Sequence, residues 1–329
     1  MSQVGSEWLD LVVVNARQDA SNVTVLDLGW PDGGAMPSWE PGAHIDVRST
    51  DNGGKEAVRQ YSLCGPGKAA VWRIAVLAEP DGRGGSANLA KTSRPGSRLS
   101  VRGPRNHFRL QPEGSPVVLV AGGIGITPLL AMADALHAQG RDFRLHYFAR
   151  TRSSMAFREQ LLGSAYCERV HLSCDDEQAC RIGDIFTNGD RGSWLYTCGP
   201  EGFMRAVIEA AATAGVRPDR VRKELFTSEP QAADAGVEGA KRPFTIVLRS
   251  SGQRIEVPED KTAVRALADA GVEVVVSCEQ GYCGSCLTGV LEGIPDHRDE
   301  FMLPEERERN DAFTPCCSRA VTQTLVLDL

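Results

Sequence analysis

Four cysteines constrain this chain more than any other feature. Cys278, Cys283 and Cys286 stand in one run, Cys-Glu-Gln-Gly-Tyr-Cys-Gly-Ser-Cys, and Cys316 follows after 29 intervening residues. The short gaps let a single loop wrap three thiolates around a common centre. A [2Fe–2S] cluster, with four soft anionic ligands, takes this C-x4-C-x2-C run plus one distant cysteine. Gly281 and Gly284 suit such a loop, because its backbone must bend tightly and bring N–H groups close to sulfur. A zinc site would come as paired C-x2-C units, and no second pair follows. The spacing selects Cys316 over its neighbour Cys317, which would lengthen the interval by one. In an extended segment the two side chains would face opposite ways, so only one could reach iron.

At 329 residues the chain has room for two or three domains. No apolar run approaches the roughly 20 residues that span a bilayer. The N-terminus lacks a basic start followed by an apolar stretch, so no signal peptide is expected. Ten cysteines without such a signal predict a reducing, cytoplasmic setting and redox or metal use. A net charge of −7 argues against nucleic acid. From Lys241 onward there are 10 Lys/Arg against 15 Asp/Glu, which reads either as a solvated surface or as an acidic face that docks a protein.

Residues 1–112 alternate short apolar runs with Gly, Pro, Asp and Asn clusters, the pattern of an antiparallel β-barrel or sandwich. The runs are Leu9–Val14, Val23–Leu28, His44–Val47, Gln60–Leu63, Trp72–Leu77 and Arg98–Arg102. From 113 to 228 strands alternate with helices, which predicts a parallel sheet covered on both faces. The strands there are Val117–Val120, Phe143–Phe148, Val170–Ser173 and Trp194–Thr197. The helices are Leu129–Gln139, one near Met155–Leu162, and Gly202–Ala214. Residues 229–240 have one large apolar side chain, Val237, and read as a linker. Residues 241–329 give strands Phe244–Leu248, Arg254–Val257 and Thr324–Leu327, helix Ala263–Ala270 and the cysteine loop.

Three further motifs sit in the first two regions. Arg59-Gln60-Tyr61-Ser62-Leu63 ends a strand, and Gly84-Gly85-Ser86 precedes a helix start at Ala87. A guanidinium that forks onto phosphate oxygens and a helix N-terminus with free N–H groups make a phosphate seat. Gly122-Gly123-Ile124-Gly125-Ile126-Thr127-Pro128 lies between strand and helix, where parallel sheets bind ligands. Pro128 stands where a Rossmann fingerprint has its third glycine, and Thr127 reads as N-cap with Pro128 at N1. Tyr196-Thr197-Cys198-Gly199-Pro200-Glu201-Gly202-Phe203-Met204 ends another strand, and Glu224-Leu225-Phe226 follows. Cys64, Cys167, Cys174 and Cys180 show no ligand spacing, and the histidines form no metal constellation.

The last 90 or so residues resemble plant-type ferredoxins, and the other motifs resemble the ferredoxin–NAD(P)H reductase superfamily. In this order they resemble the phthalate dioxygenase reductase family over nearly the whole chain. That likeness extends to Gly103-Pro104-Arg105-Asn106-His107-Phe108, Asp296-His297-Arg298-Asp299 and Cys316-Cys317-Ser318-Arg319-Ala320. It implies a multidomain protein: an FMN-binding antiparallel β-barrel (1–112), an NAD-binding α/β domain (113–228), a linker (229–240) and an α+β, β-grasp ferredoxin domain (241–329).

The resemblance also implies residue roles. Arg59 would hold the FMN phosphate with Gly84, Gly85 and Ser86, and Tyr61 and Ser62 would lie against the flavin ring. Ala75, Val76 and Leu77 would pass backbone groups along that ring, and Thr127 and Phe226 would complete the site. Leu77 departs from the family prototype, which has a Lys there. Gly123, Gly125, Thr127 and Pro128 would take the NADH pyrophosphate, and Cys198, Gly199, Pro200, Phe203 and Met204 the nicotinamide end. Ser62, Cys198 and Glu224 would be the catalytic set, and Cys278, Cys283, Cys286 and Cys316 the cluster ligands. Arg150 would join the NAD-binding residues; with Arg152 and Ser153 it follows strand Phe143–Phe148, a charge pattern suited to a 2′-phosphate. The resemblance implies NADH.

The implied activity is hydride transfer from NADH to FMN, then single electrons through the cluster to a Rieske-type oxygenase, the reductase being a monomer on its own. The alternatives are a reductase of another acceptor, such as a carnitine-type monooxygenase or a soluble ferredoxin, and a non-catalytic redox sensor. Intact nucleotide motifs weigh against the sensor.

Overall fold

The computed structural model describes residues 7–50, 53–54, 56–65, 70–79, 84–112, 114–176, 181–226, 242–276, 279, 281, 284–299, 302 and 304–329. Cys278, Cys283, Cys180 and the expected linker lie outside the described residues. The chain divides into two compact units, Met1–Phe226 and Thr227–Leu329.

The first unit opens with strands β1 (Trp8–Ala20), β2 (Val23–Gly29), β3 (Ala43–Thr50), β4 (Glu56–Ser62), β5 (Trp72–Leu77) and β6 (Arg98–Asn106), with helix α1 (Gly85–Thr92) between the last two. They form an antiparallel sheet in the order β4-β3-β6-β1-β2-β5. Its two ends approach where Cys64 N donates to Arg73 O at 2.9 Å. Leu11, Val13, Leu26, Leu28, Ile45, Trp72 and Ile74 fill the interior. Each such side chain, fully buried, contributes about 1.5–3 kcal/mol. Strand β2 is apolar on both faces for a reason. Leu26 and Leu28 point into this interior, while Val23 and Val25 join the core of the neighbouring sheet.

That second sheet is wholly parallel: β7 (Val117–Gly122), β8 (Phe143–Ala149), β9 (Val170–Cys174), β10 (Trp194–Cys198) and β11 (Val221–Glu224). The spatial order β11-β10-β7-β8-β9 reverses direction at β7. The crevice beyond the C-terminal ends of β7 and β10 is therefore the switch point where such sheets bind ligands. Helix α2 (Ile126–Ala138) covers one face with Leu129, Met132 and Leu136, and α4 (Glu201–Thr213) covers the other with Val207 and Ala211. Tyr196 ties in the connecting segment: its hydroxyl accepts from Gln111 N at 2.8 Å and donates to Arg109 O at 3.2 Å.

Three expectations need correction. Helix α2 begins at Ile126 with Gly125 as N-cap, because a 3-10 turn over Gly123–Gly125 leads directly into it. Thr127 is therefore inside the first turn, and its hydroxyl donates to Ile124 O at 3.0 Å instead of capping. The helix expected near Met155 is confined to α3 (Arg158–Leu162), since Thr151 first caps a separate 3-10 turn over Arg152–Ser154. Helix α1 starts at Gly85, two residues before Ala87, after a left-handed Gly84 at φ +89°.

The second unit contains β12 (Phe244–Leu248), β13 (Arg254–Val257), α5 (Ala263–Asp269), β14 (Thr288–Glu292), β15 (Pro295–Asp296), α6 (Pro304–Arg309), β16 (Ala312–Phe313), β17 (Arg319–Ala320) and β18 (Thr324–Leu327). The order β13-β12-β18-β14-β16 makes one mixed sheet, with β15 paired to β17 beside it. Ile246, Val257, Leu267, Phe313 and Leu325 form its core. No helix among the described residues is long and apolar enough to cross a membrane.

Candidate functional site

Two turns meet at the sheet's switch point. A Cβ on Gly125 would lie 2.2 Å from Cys198 O and 2.7 Å from Gly199 N, so only glycine lets these backbones touch. Gly199 in turn packs on Gly122, and a Cβ on Gly122 would meet the Phe203 ring at 2.8 Å. The glycines thus bring the loop after β7 against the turn after β10. Gly123 has φ +55° and open space around it. Pro128 and Met204 are buried, Met204 inside the core-facing side of α4. Arg150 is exposed at the end of β8.

Strand β11, which the sequence did not suggest, brings in Glu224. It pairs with β10 in a register that sets Glu224 beside Cys198. Burial pushes the Glu224 carboxyl up to about 8, against the Ser62 hydroxyl that faces it and favours the ionised form. Burial, and then the Glu224 carboxyl, raise the Cys198 thiol well above its ordinary range. Ser62, Cys198 and Glu224 thus gather at one place. Ser62 Oγ, Glu224 Oε2 and Tyr61 Oη are buried without a well-formed hydrogen bond. Buried polar atoms rarely stay unpaired, so a ligand carrying donors and acceptors fits here.

Arg59 and Tyr61 lie on β4, and Ala75, Val76 and Leu77 on β5, the last strand of its sheet. The Arg59 guanidinium lies over the start of α1, where a Cβ on Gly85 would sit 3.4 Å from Nε. A cation and free helix N–H groups converging at one point fit a phosphate. Two contacts missed by the sequence reading fix that helix: Ser49 Oγ donates to Gly85 O at 2.7 Å, and Asn88 Nδ2 to Thr50 O at 2.9 Å. Neither carries a local sequence signal. Ser86 is half-buried in the first turn of α1, and Thr127 is 2% exposed in α2. Phe226, 39% exposed, closes the unit.

In the second unit the structure brings Cys286 and Cys316 together in a small buried cluster with Val264. Contact with the Cys286 thiol, and then burial, raise the Cys316 thiol, while Gly281 N–H and Cys317 oppose this. Residues Pro315–Cys317 form a turn, not the extended segment considered from sequence. Their separation comes from the turn: the Cys317 sulfur lies 3.3 Å from Thr314 Oγ1, in a notch above Gly281. Asp299 accepts from Met302 N at 2.7 Å and from Thr314 Oγ1 at 3.2 Å. Arg319 donates to the carbonyls of Arg242, Pro258 and Lys261. The two late motifs therefore brace the turn that carries Cys316. Buried thiols meeting an N–H-bearing glycine loop fit an iron–sulfur cluster.

The fold and these sites define an electron-transfer reductase with a flavin and nicotinamide unit and a [2Fe–2S] unit. Residues 246–321 match the 2Fe-2S iron-sulfur cluster binding domain family. Residues 97–221 match the family described as dimethylamine monooxygenase subunit DmmA-like, N-terminal domain. The chain is 40% identical to a vanillate O-demethylase oxidoreductase of Pseudomonas sp. (strain HR199 / DSM 7063), over 98% of this chain and 100% of that one. A solved phthalate dioxygenase reductase, described as a modular structure for electron transfer from pyridine nucleotides to [2Fe–2S], superposes with a TM-score of 0.67 at 33% identity, covering 98% of each chain. An intact type IV self-sufficient cytochrome P450 monooxygenase gives a TM-score of 0.87 at 36% identity, over 98% of this chain and 41% of that one. The chain belongs to the phthalate dioxygenase reductase family, the oxidoreductase components of oxygenase systems.

Proposed function

We propose that this reductase takes hydride from NADH onto FMN and passes electrons singly through its cluster to a Rieske-type oxygenase, an aromatic dioxygenase or O-demethylase. The observation that carries this reading is the gathering of Ser62, Cys198 and Glu224, with buried polar atoms that lack a well-formed hydrogen bond, beside the Gly125 contact. When bound, the flavin accepts two electrons as hydride and yields them one at a time to the cluster.

The chain's residues have separable tasks. Arg59 and the start of α1, with Gly84, Gly85 and Ser86, hold a terminal monophosphate, which favours FMN over a dinucleotide flavin. Tyr61, Ser62, Thr127 and Phe226 flank the ring, with the outer edge of β5 at Ala75–Leu77 along it. Gly123, Gly125, Thr127 and Pro128 receive the pyrophosphate of NADH, and Arg150 receives its adenosine end. Gly199, Pro200, Phe203 and Met204 shape the nicotinamide pocket, where Cys198 orients the ring. Glu224, largely protonated near neutral pH, holds a proton at its carboxyl facing Ser62 Oγ. Cys278, Cys283, Cys286 and Cys316 hold the cluster.

The corresponding domains are 1–112, 113–228 and 241–329, joined by 229–240. The reductase works as a cytoplasmic monomer apart from its oxygenase. A different acceptor, another monooxygenase or a free ferredoxin, is the second reading. The test is NADH oxidation by the purified holoprotein with ferricyanide and with cytochrome c, alongside flavin released by heat. Turnover with both acceptors and recovery of FMN are expected. No NADH consumption would leave a redox sensor, and recovery of FAD would overturn the phosphate seat.

A further inference from the structure

The flavin and nucleotide sides of the first unit are joined where no sequence motif points, at the tip of the β1–β2 hairpin. Ser21 donates twice to Ser153 O, from its backbone N and from Oγ, each at 2.9 Å. Asp19 Oδ2 accepts from Phe157 N at 2.6 Å, while Oδ1 accepts from Arg17 at 2.9 Å. On the other side of the same tip, Asn22 O accepts from Ala78 N at 2.8 Å, just past β5. One turn thus links the edge strand assigned to the flavin with the segment that continues from Arg150.

That segment packs Met155, Ala156 and Phe157 into the core and is capped at Thr151, and its backbone is strained at one point. Phe157 is buried in the left-handed region at φ +58°, a conformation that bulky residues adopt at a cost and keep only when their surroundings hold them. A cleft of about 610 Å³ lies against the same stretch, lined by Arg17, Asp19, Arg152, Ser153, Phe157 and Arg158. Three hydrogen bonds made by Asp19 and Ser21 tie the hairpin tip to this segment beside the cleft.

We infer that Asp19 and Ser21 are positioning residues for NADH, holding residues 150–157 in place beside the flavin-lining strand so that the adenosine end of the dinucleotide is received. The inference rests on the proposed function, in which Arg150 lies at that end. Neither residue belongs to the flavin or nicotinamide sites proposed above, so their loss should affect only a reductant that carries the adenosine half.

The experiment compares NADH with reduced nicotinamide mononucleotide, which lacks that half, as reductants of the Ser21→Ala and Asp19→Asn holoproteins with ferricyanide as acceptor. Ser21→Ala keeps the backbone donor and is the milder variant; Asp19→Asn keeps the side-chain shape. The KM for NADH rises about tenfold in Asp19→Asn and less in Ser21→Ala. For both, kcat stays within about twofold and kcat/KM for the mononucleotide is unchanged. Flavin and iron content also stay unchanged. An unaltered KM for NADH in both variants, or an equal decline with both reductants, would overturn the inference. An Arg150→Ala control keeps the two readings apart. If it leaves KM unchanged while the tip variants raise it, the assignment of Arg150 fails and the positioning role stands.

Discussion

Each redox end of this chain turns on one glycine, and the two glycines are required by different kinds of neighbour. Gly125 is pressed against main chain: a Cβ there would meet Cys198 O at 2.2 Å and Cys198 C at 2.4 Å. A Cβ on Gly281 would meet first a side chain, the Cys317 sulfur at 2.5 Å, and then main chain, Asp299 Cα at 2.9 Å. Main chain held in a parallel sheet cannot retreat without moving the strand, whereas a sulfur can be removed. The proposed nucleotide end is therefore held by main chain of the sheet, and the proposed cluster end by one side chain, one main-chain contact and a left-handed backbone at one turn.

The largest expected effect tests the rigid half of that contrast. Gly125→Ala should slow flavin reduction by NADH about a hundredfold, because forcing the two turns apart displaces the nicotinamide. Its cluster content should stay normal, as measured by stopped-flow absorbance and iron analysis. Near-normal reduction would mean that the turns yield.

At the other end, Gly281→Ala should lower iron and acid-labile sulfide. Adding Cys317→Ala should restore part of both, because the sulfur is gone while Asp299 and the φ of +80° remain. Cys317→Ala alone should keep near-normal iron, and Cys316→Ala should lose the cluster. The reverse pattern would make Cys317 the ligand.

Cys198→Ala should be milder than Gly125→Ala, since it removes a contact and leaves the backbone in place. Flavin reduction about tenfold slower, with both cofactors bound, is the expected stopped-flow result. An unchanged rate would reduce Cys198 to packing.

The smallest effect concerns pH. Glu224, raised to about 8, binds its proton more tightly in the folded protein. The stability it contributes is full below its ordinary value of 4.5 and is lost as pH rises through 8. His44 and His146 behave oppositely. Burial lowers them from 6.5 to about 3 and about 4, so their contribution is full above 6.5 and falls away as pH drops. Glu224→Gln should flatten the alkaline decline in melting temperature and leave the acid decline intact. Equal flattening on both sides would contradict this assignment.

The sequence made the cofactor ends legible because their chemistry is local. Cysteine spacing and the glycine turns encode short-range geometry, and strands such as Phe244–Leu248 and Arg254–Val257 have the limits their alternation suggests. What it hid is produced by pairing between distant segments. Strand β11 has the sequence Val-Arg-Lys-Glu, with no apolar alternation, and exists because it pairs with β10. The start of α2 was misplaced because Thr-Pro resembles a cap, and only the structure shows the 3-10 turn that precedes it. The Asp19 and Ser21 contacts reach across more than 130 positions and leave no local trace.

The central claim is that hydride enters at the Cys198–Glu224–Ser62 site and leaves as single electrons through the cysteine loop. Anaerobic mixing of the holoprotein with NADH, followed by rapid-freeze EPR, tests it most directly. The account predicts that the reduced-cluster signal appears after flavin bleaching and at its pace, and that Gly125→Ala delays both together. A cluster that stays oxidised beside a bleached flavin, or one reduced at the wild-type rate in Gly125→Ala, would contradict it.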